Sequence, residues 1–393
     1  RRISAFLDDS WSIHDRLTLN LGVRFDHTRG GYPAYPRFGP DGNPTEETVP
    51  GNMDLIRWDT WSPRLGIVYQ LTADRKTVLK ASYGRYYGHM LTRVMYGSAP
   101  SKSDRFWYEY NGDTGRYDIL LQHIDPIANR GFDRNLKNPY SDIFTVGIEG
   151  EIFKDFSLSL TGVYKESKDD YLSHNIGAEY ELVDYYDEFS GKTIQVYNQT
   201  NDSFYLTTNP GDRTTYKALF FTFNKRLSNK WMLNGSLALS RAKQFPKGYN
   251  DKNDLINMYD VVGRYDRGYQ FKITGSYIFP YGIMLSAFFA YEQGTPFNRT
   301  IPLWLPGQGK VTIAAEPRGS QRFPNQTYLD LRVEKEIRIR GNARLKFLMD
   351  IWNVFNADYY SQVASTDEAS PSYLAPKGYV LPRRAQLGVR FVF

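Results

Sequence analysis

The clearest periodicity in the chain lies in its last nine residues. From Ala385 to Phe393 the odd positions are apolar (Ala385, Leu387, Val389, Phe391, Phe393). Gln386, Gly388 and Arg390 between them are small or polar, and Val392 alone breaks the rule. Side chains on a β-strand alternate between faces, so this pattern predicts a strand with one apolar and one wet face. Its length fits the roughly 9–11 residues that a tilted strand needs to cross a bilayer. An apolar edge ending on phenylalanine invites aggregation in water. In a membrane barrel the last strand pairs with another, and its aromatic end rests at a headgroup boundary.

The same alternation recurs upstream. Ile3 to Ile13 is apolar on odd positions except Asp9, and a turn at His14-Asp15-Arg16 leads into Leu17, Leu19, Leu21, Val23 and Phe25 against Thr18, Asn20, Gly22, Arg24 and Asp26. A proline-rich loop is expected from Gly30 to about Thr60. Trp61–Leu71 and Thr77–Tyr87 follow as a hairpin, then a long loop rich in aromatics. Further hairpins are predicted for Phe144–Ile152 with Phe156–Tyr164, Tyr216–Leu227 with Trp231–Ser240, Tyr269–Phe279 with Ile283–Tyr291, and Thr327–Ile339 with Ala343–Phe355. The polar stretch 168–212 carries a smaller hairpin around Ser190-Gly191.

With the terminal strand this makes about thirteen spanning strands. Short turns alternate with long loops, the layout of outer-membrane barrels, whose periplasmic turns are short and whose outer loops are long. Trp11, Phe153, Phe156, Trp231, Phe279, Tyr281 and Phe393 fall beside short turns or at the terminus, and Phe25, Trp61, Tyr83, Tyr164 and Tyr291 beside long loops. These are two interfacial belts, with Trp11, Trp61, Trp231 and Phe279 as girdle residues. The expected fold is therefore all-β, a transmembrane antiparallel up-and-down barrel. Thirteen strands that start and end in the same direction cannot close, so further strands are expected before Arg1.

Composition changes the picture only by exclusion. The 393 residues include 31 tyrosines and 16% aromatics. Mean hydropathy is −0.54, which barrels permit because only alternate residues meet lipid. No apolar run approaches 18 residues, so helical spans are excluded. The absence of cysteine removes disulfides, thiolate catalysis and Cys-based metal sites. The net charge of +6 is dispersed, without the clustered basic stripe a nucleic-acid binder shows.

Several segments together resemble the TonB-dependent outer-membrane receptors. They are FLDDSWSIHDRLTLNLGVRFD (Phe6–Asp26), WSPRLGIVYQL (Trp61–Leu71), KASYGRYY (Lys80–Tyr87), NLKNPYSDIFTVGIE (Asn135–Glu149), DIWNVFN (Asp350–Asn356) and PRRAQLGVRFVF (Pro382–Phe393). The likeness is strongest to the subgroup with a carboxypeptidase-regulatory-like domain before the plug. It implies a 22-stranded barrel in the bacterial outer membrane, plugged by an N-terminal domain that an energy-coupling complex engages through a TonB box. By that count residues 1–393 are the C-terminal part of the barrel, without the plug, the TonB box and the first strands. The resemblance also implies that Leu387, Val389, Phe391 and Phe393 serve the outer-membrane assembly machinery as a C-terminal signal.

Candidate chemistry is sparse. The histidines (His14, His27, His89, His123, His174) lack metal-ligand spacing. Ser190-Gly191-Lys192-Thr193 mimics the end of a phosphate loop, but Tyr186 stands where its first glycine belongs. No catalytic group, cofactor site or metal site is read, and a soluble all-β enzyme lacks its machinery. Arg64, Glu149, Glu151, Asp330, Arg332, Glu334, Lys346, Asp350 and Arg390 should face the lumen, since each would cost up to about 2–4 kcal/mol in lipid near the midplane. They serve either a solvated wall or docking of the plug. Ligand contacts, if made, belong to the long loops, where Trp107, Tyr108, Tyr110, Arg264, Tyr265, Trp304 and Arg318 mix aromatics with arginines. Siderophores, oligosaccharides and peptides all fit such a set. The favoured function is energy-coupled uptake of a bulky nutrient; the alternative is a surface adhesin or structural barrel whose loops bind a partner without import.

Overall fold

A computed structural model describes residues 1–38, 43–89, 105–124 and 130–393. It is built on one antiparallel sheet in which thirteen strands follow chain order. They are β1 (Arg2–His14), β2 (Leu17–Tyr32), β3 (Asn52–Gln70), β4 (Thr77–Tyr87), β5 (Tyr140–Phe153), β6 (Phe156–Lys168) and β7 (Arg213–Ser228). The series continues with β8 (Trp231–Phe245), β9 (Tyr269–Phe279), β10 (Ile283–Glu292), β11 (Gln326–Arg340), β12 (Ala343–Trp352) and β13 (Arg384–Val392). A two-residue strand, Val261–Val262, pairs with β8 off this path. Among the described residues β1 and β13 are the free edges of the sheet.

The pairings preserve the alternation read from the sequence. Leu19, Leu21 and Phe25 lie opposite Ile67, Leu65 and Trp61, so apolar meets apolar, while Gly22 and Arg24 lie opposite Arg64 and Ser62. Leu387, Val389 and Phe391 lie opposite Met349, Phe347 and Leu345 on the same apolar face. Cross-strand pairs of this kind are the unit of sheet stabilisation. That face is left open to its surroundings: Leu387 is 79% exposed and Val389 67%. Phe223 lies across the small Gly235, whose missing Cβ would stand only 2.3 Å from its ring.

Short turns close one end of the sheet through residues that take left-handed backbone. Asp155 (φ 66°), Asn229 (φ 52°) with Lys230 (φ 72°), and Gly341 (φ 59°) do so. Such turns match the right-handed twist of a hairpin. The strands are also staggered. One hydrogen-bonded row runs Leu17, Tyr69, Leu79, Ile148, Leu160, Phe221, Leu237, Phe271, Tyr291. It starts at the short-turn end of β2 and finishes at the long-loop end of β10, the shear that tilted barrel strands require.

The expected loop from Gly30 to Thr60 is corrected by the structure. β2 runs on to Tyr32 and β3 begins at Asn52, with a hairpin (Tyr35–Phe38, Pro44–Val49) between them. The other long loops carry hairpins too: Arg105–Asn111 with Arg116–Ile124, Tyr180–Asp187 with Lys192–Gln199, Thr300–Leu305 with Gly309–Ala314, and Tyr360–Val363 with Pro376–Tyr379. Val196, Ile301, Leu303, Leu305 and Ile313 form a buried apolar cluster between two of them.

Candidate functional site

The polar face of the sheet holds the charges that alternation placed there, and most neutralise one another sideways. Arg332 pairs with Asp350, its Nη2 donating to Oδ2 at 2.9 Å. Lys346 bridges Glu334 at 2.7 Å and Glu336 at 3.2 Å. Glu149 takes Lys80 at 2.5 Å, Glu151 accepts the Asp155 N–H at 3.1 Å, and Asp330 accepts the Asn353 N–H at 2.8 Å. Arg64 instead stacks on the Tyr86 ring at 5.2 Å. No carboxylate among the described residues pairs with Arg64 or with Arg390. A ladder of neighbouring pairs keeps these charges hydrated and mutually satisfied, which is what a wall along water needs.

At the long-loop end this wall opens into a cleft of about 800 Å³. Lys165, Tyr216 and Gln244 line it from β6, β7 and β8; Arg264, Tyr265 and Arg318 come from two loops. Arg318 is half-buried and donates from Nη2 to Gln244 Oε1 at 2.8 Å. Its Nε is buried and meets no acceptor. Burial, with the Arg264 charge nearby, pushes the Arg318 pKa down from its ordinary value. The carboxylate of Asp266 in the same cleft is already committed to Arg322 at 2.6 Å and to the Ala242 N–H at 2.6 Å. Positive charge is therefore in excess there, with one donor unused.

Of the expected loop residues, this cleft gathers Arg264, Tyr265 and Arg318. Trp304 is 61% exposed on its hairpin and does not line the cleft. Tyr108 and Tyr110 sit on the hairpin Arg105–Asn111, and Tyr110 packs on Tyr117 at 5.3 Å. The Trp107 side chain lies outside the described residues. Lys165, Tyr216 and Gln244 were absent from the expected set, although strand parity places each on the polar face. No cluster of metal-binding side chains occurs among the described residues.

A buried ion pair ties the loop that carries Arg318 to two other loops at this end. Arg299 (3% exposed) donates from Nη1 to Asp187 Oδ1 at 3.2 Å, and also pairs with Glu368. Hydrogen bonding from Arg299 outweighs burial and, with Ser190, holds the Asp187 carboxyl down at about 2. Trp58 donates from Nε1 to the Leu136 carbonyl at 2.6 Å beside Ile56, fixing a further loop.

A family model described as "Outer membrane beta barrel domain" matches residues 1–289. The chain belongs to that family. As an outer-membrane barrel domain it lies in the bacterial outer membrane, its apolar face toward lipid and its polar face toward the lumen. Of the expected girdle residues, Trp11, Trp61 and Phe279 lie on that apolar face and are 41–60% exposed, and Trp231 lies beneath the Lys225 ammonium at 4.8 Å. A curated relative, the TonB-dependent transporter Oar of Myxococcus xanthus, is 24% identical over 93% of this chain. The chain spans 36% of that relative's length. Among solved structures, the ferric enterobactin receptor PfeA of Pseudomonas aeruginosa matches 99% of this chain with a TM-score of 0.57 at 15% identity. The siderophore receptor PirA of Acinetobacter baumannii matches 100% with a TM-score of 0.55 at 14% identity. This chain covers 44% and 46% of those two structures, which share its fold. The relatives are transporters and receptors, not enzymes.

Proposed function

We propose that this barrel domain is the C-terminal part of a larger receptor that takes up a bulky, scarce nutrient by energy-coupled import. In that reading further strands complete a barrel of about 22, and an N-terminal plug closes the lumen and engages the TonB complex. The open edges of the sheet and the longer relatives support it. Of the expected wall residues, Arg64 and Arg390 are the cations without a carboxylate partner among the described residues, and they are the positions best suited to dock a plug. The remaining wall charges belong to the hydrated lining.

The observation that carries a receptor role is the mouth cleft. Two arginines and a lysine with a spare, buried donor there favour a ligand bearing a carboxylate, phosphate or similarly anionic group. Tyr216 and Tyr265 supply the aromatic surface that siderophores, sugars and peptides share as a contact. The test uses the intact gene in its host. Deleting it should abolish saturable uptake of one nutrient, and so should removing TonB or the proton gradient. Arg318→Ala in the intact protein should raise the half-saturation concentration about tenfold, as the loss of a charge-assisted contact implies. Ligand or cell binding that needs no energy coupling and leads to no uptake would favour an adhesin instead.

A further inference from the structure

The lipid-facing side carries a feature that neither wall nor cleft uses. Two adjacent hydrogen-bonded rows cross it from β3 to β8. The lower row reads Ile67, Ala81, Val146, Gly162, Leu219, Leu239. The row above reads Leu65, Tyr83, Phe144, Tyr164, Lys217, Arg241. Ala81 and Gly162 make the middle of the lower row shallow. Tyr83, Phe144 and Tyr164 stand over it as a wall of packed rings, with centroids 4.7 and 6.3 Å apart. The result is an almost wholly apolar groove of about 1080 Å³. Because such rows climb toward the long-loop side from β2 to β10, the groove rises as it goes. It begins inside the apolar belt at Ile67 and ends at the outer boundary against Lys217 and Arg241.

Those two cations are exposed on the lipid side, and neither forms an ion pair among the described residues. Around them the same arc carries Arg85 on Asp142 at 2.7 Å, and Lys243 on Asp260 at 2.8 Å. Lys168 and Arg213 share Glu166, at 2.7 and 3.5 Å. Six cations thus stand against three carboxylates, on a surface that touches the outer leaflet. The matching ends of β9 and β10 carry the neutral Tyr269 and Tyr291 on this face. The excess charge does not continue onto β9 and β10.

We propose that this groove is a binding site for a phosphate-bearing lipid of the outer leaflet. An acyl chain lies along the shallow row under the aromatic wall, and Lys217 with Arg241 hold the phosphate. An apolar groove alone would accept any hydrocarbon. The unpaired cations at its upper end, and nowhere along its floor, select an anionic amphiphile oriented with its head outward.

The test is native mass spectrometry of the intact protein released from detergent, with added diphosphorylated lipid A or its dephosphorylated form. The wild type should retain the diphosphorylated lipid and release the other. Lys217→Gln with Arg241→Gln should lower retention about thirtyfold, from about a fivefold loss per cation near a membrane surface. Gly162→Leu, which blocks the groove while keeping both charges, should lower it as well; a Cβ there meets nothing nearer than 3.7 Å, so the strand should tolerate it. Arg29→Gln, on the same face outside the arc, should leave retention unchanged. Equal retention by the double variant, with folding verified by heat-modifiable gel migration, would overturn the proposal. So would equal binding of the dephosphorylated lipid, or an equal loss with Arg29→Gln.

Discussion

A single arginine, Arg299, holds two carboxylates from two other loops in a place that water does not reach. Taking one partner from a buried ion pair leaves an uncompensated charge and typically costs about 3–5 kcal/mol. Arg299→Ala should therefore free the loop assembly while sparing the sheet. Hydrogen exchange in the hairpin Tyr180–Gln199 should rise by about two orders of magnitude or more, with β5 to β8 unchanged; equal exchange in variant and wild type would refute the lock. The pair also sets an acid limit. Asp187 titrates at about 2 in the fold, below the unfolded value of about 3.9, so the folded loops bind fewer protons than the unfolded ones. Their stability is fully present above about pH 4 and is lost as pH falls through about 2. Exchange protection of this hairpin, corrected for intrinsic rates, should be flat from pH 8 to 5 and decline only below pH 4. A decline that already begins below the ordinary histidine value of about 6.5 would point to His174 instead, which burial holds below that value.

At the level of the strand, one rule explains both what could be read in advance and what could not. Within the membrane span, lipid demands apolar side chains on one face and the lumen accepts polar ones on the other, so alternation is visible in β2, β7 and β13 without any structure. The rule inverts above Trp61. There the outward residues of β3 are Arg57 and Asp59, while Ile56 and Trp58 turn inward and pack under Leu136. Outward charge is allowed because hydrocarbon gives way to headgroups and water at that height, while the five prolines between Gly30 and Thr60 read as a loop in the sequence. The loop hairpins were equally hidden, since they pack on each other rather than on a bilayer and keep no fixed period. Of the mouth cleft, the loop arginines were legible as charged groups among aromatics. Lys165 and Gln244 were not, because their role depends on which loop folds over them. The rule itself can be tested in β7. Phe221→Arg, facing lipid midway between Lys217 and Lys225, should cost about 2–4 kcal/mol in reversible unfolding from lipid vesicles. Thr222→Arg, one residue on but facing the lumen, should cost under about 1 kcal/mol. Similar losses at the two sites would mean that hydrocarbon does not touch the Phe221 row.

The whole molecule is governed by its edges. Hydrocarbon offers no hydrogen bonds, and each unsatisfied backbone group in it costs several kcal/mol. β1 presents thirteen residues and β13 nine along edges with no partner among the described residues. About half of each strand's backbone groups point away from its single neighbour, so these edges far exceed what a domain's net stability of about 5–15 kcal/mol could absorb. Burial shows the same demand from the side-chain direction. On β1, Phe6 of the polar face and Leu7 of the apolar face are 70% and 74% exposed alike, because a single neighbouring strand flanks them. Residues 1–393 produced alone and refolded into detergent should therefore pair edge to edge. Light scattering behind size exclusion should give a protein mass of two or more chains per micelle, falling on addition of a peptide that copies β13. A stable, monodisperse single chain at all protein concentrations would show that the edges satisfy one another, and the proposed 22-stranded parent would then lose its main physical reason.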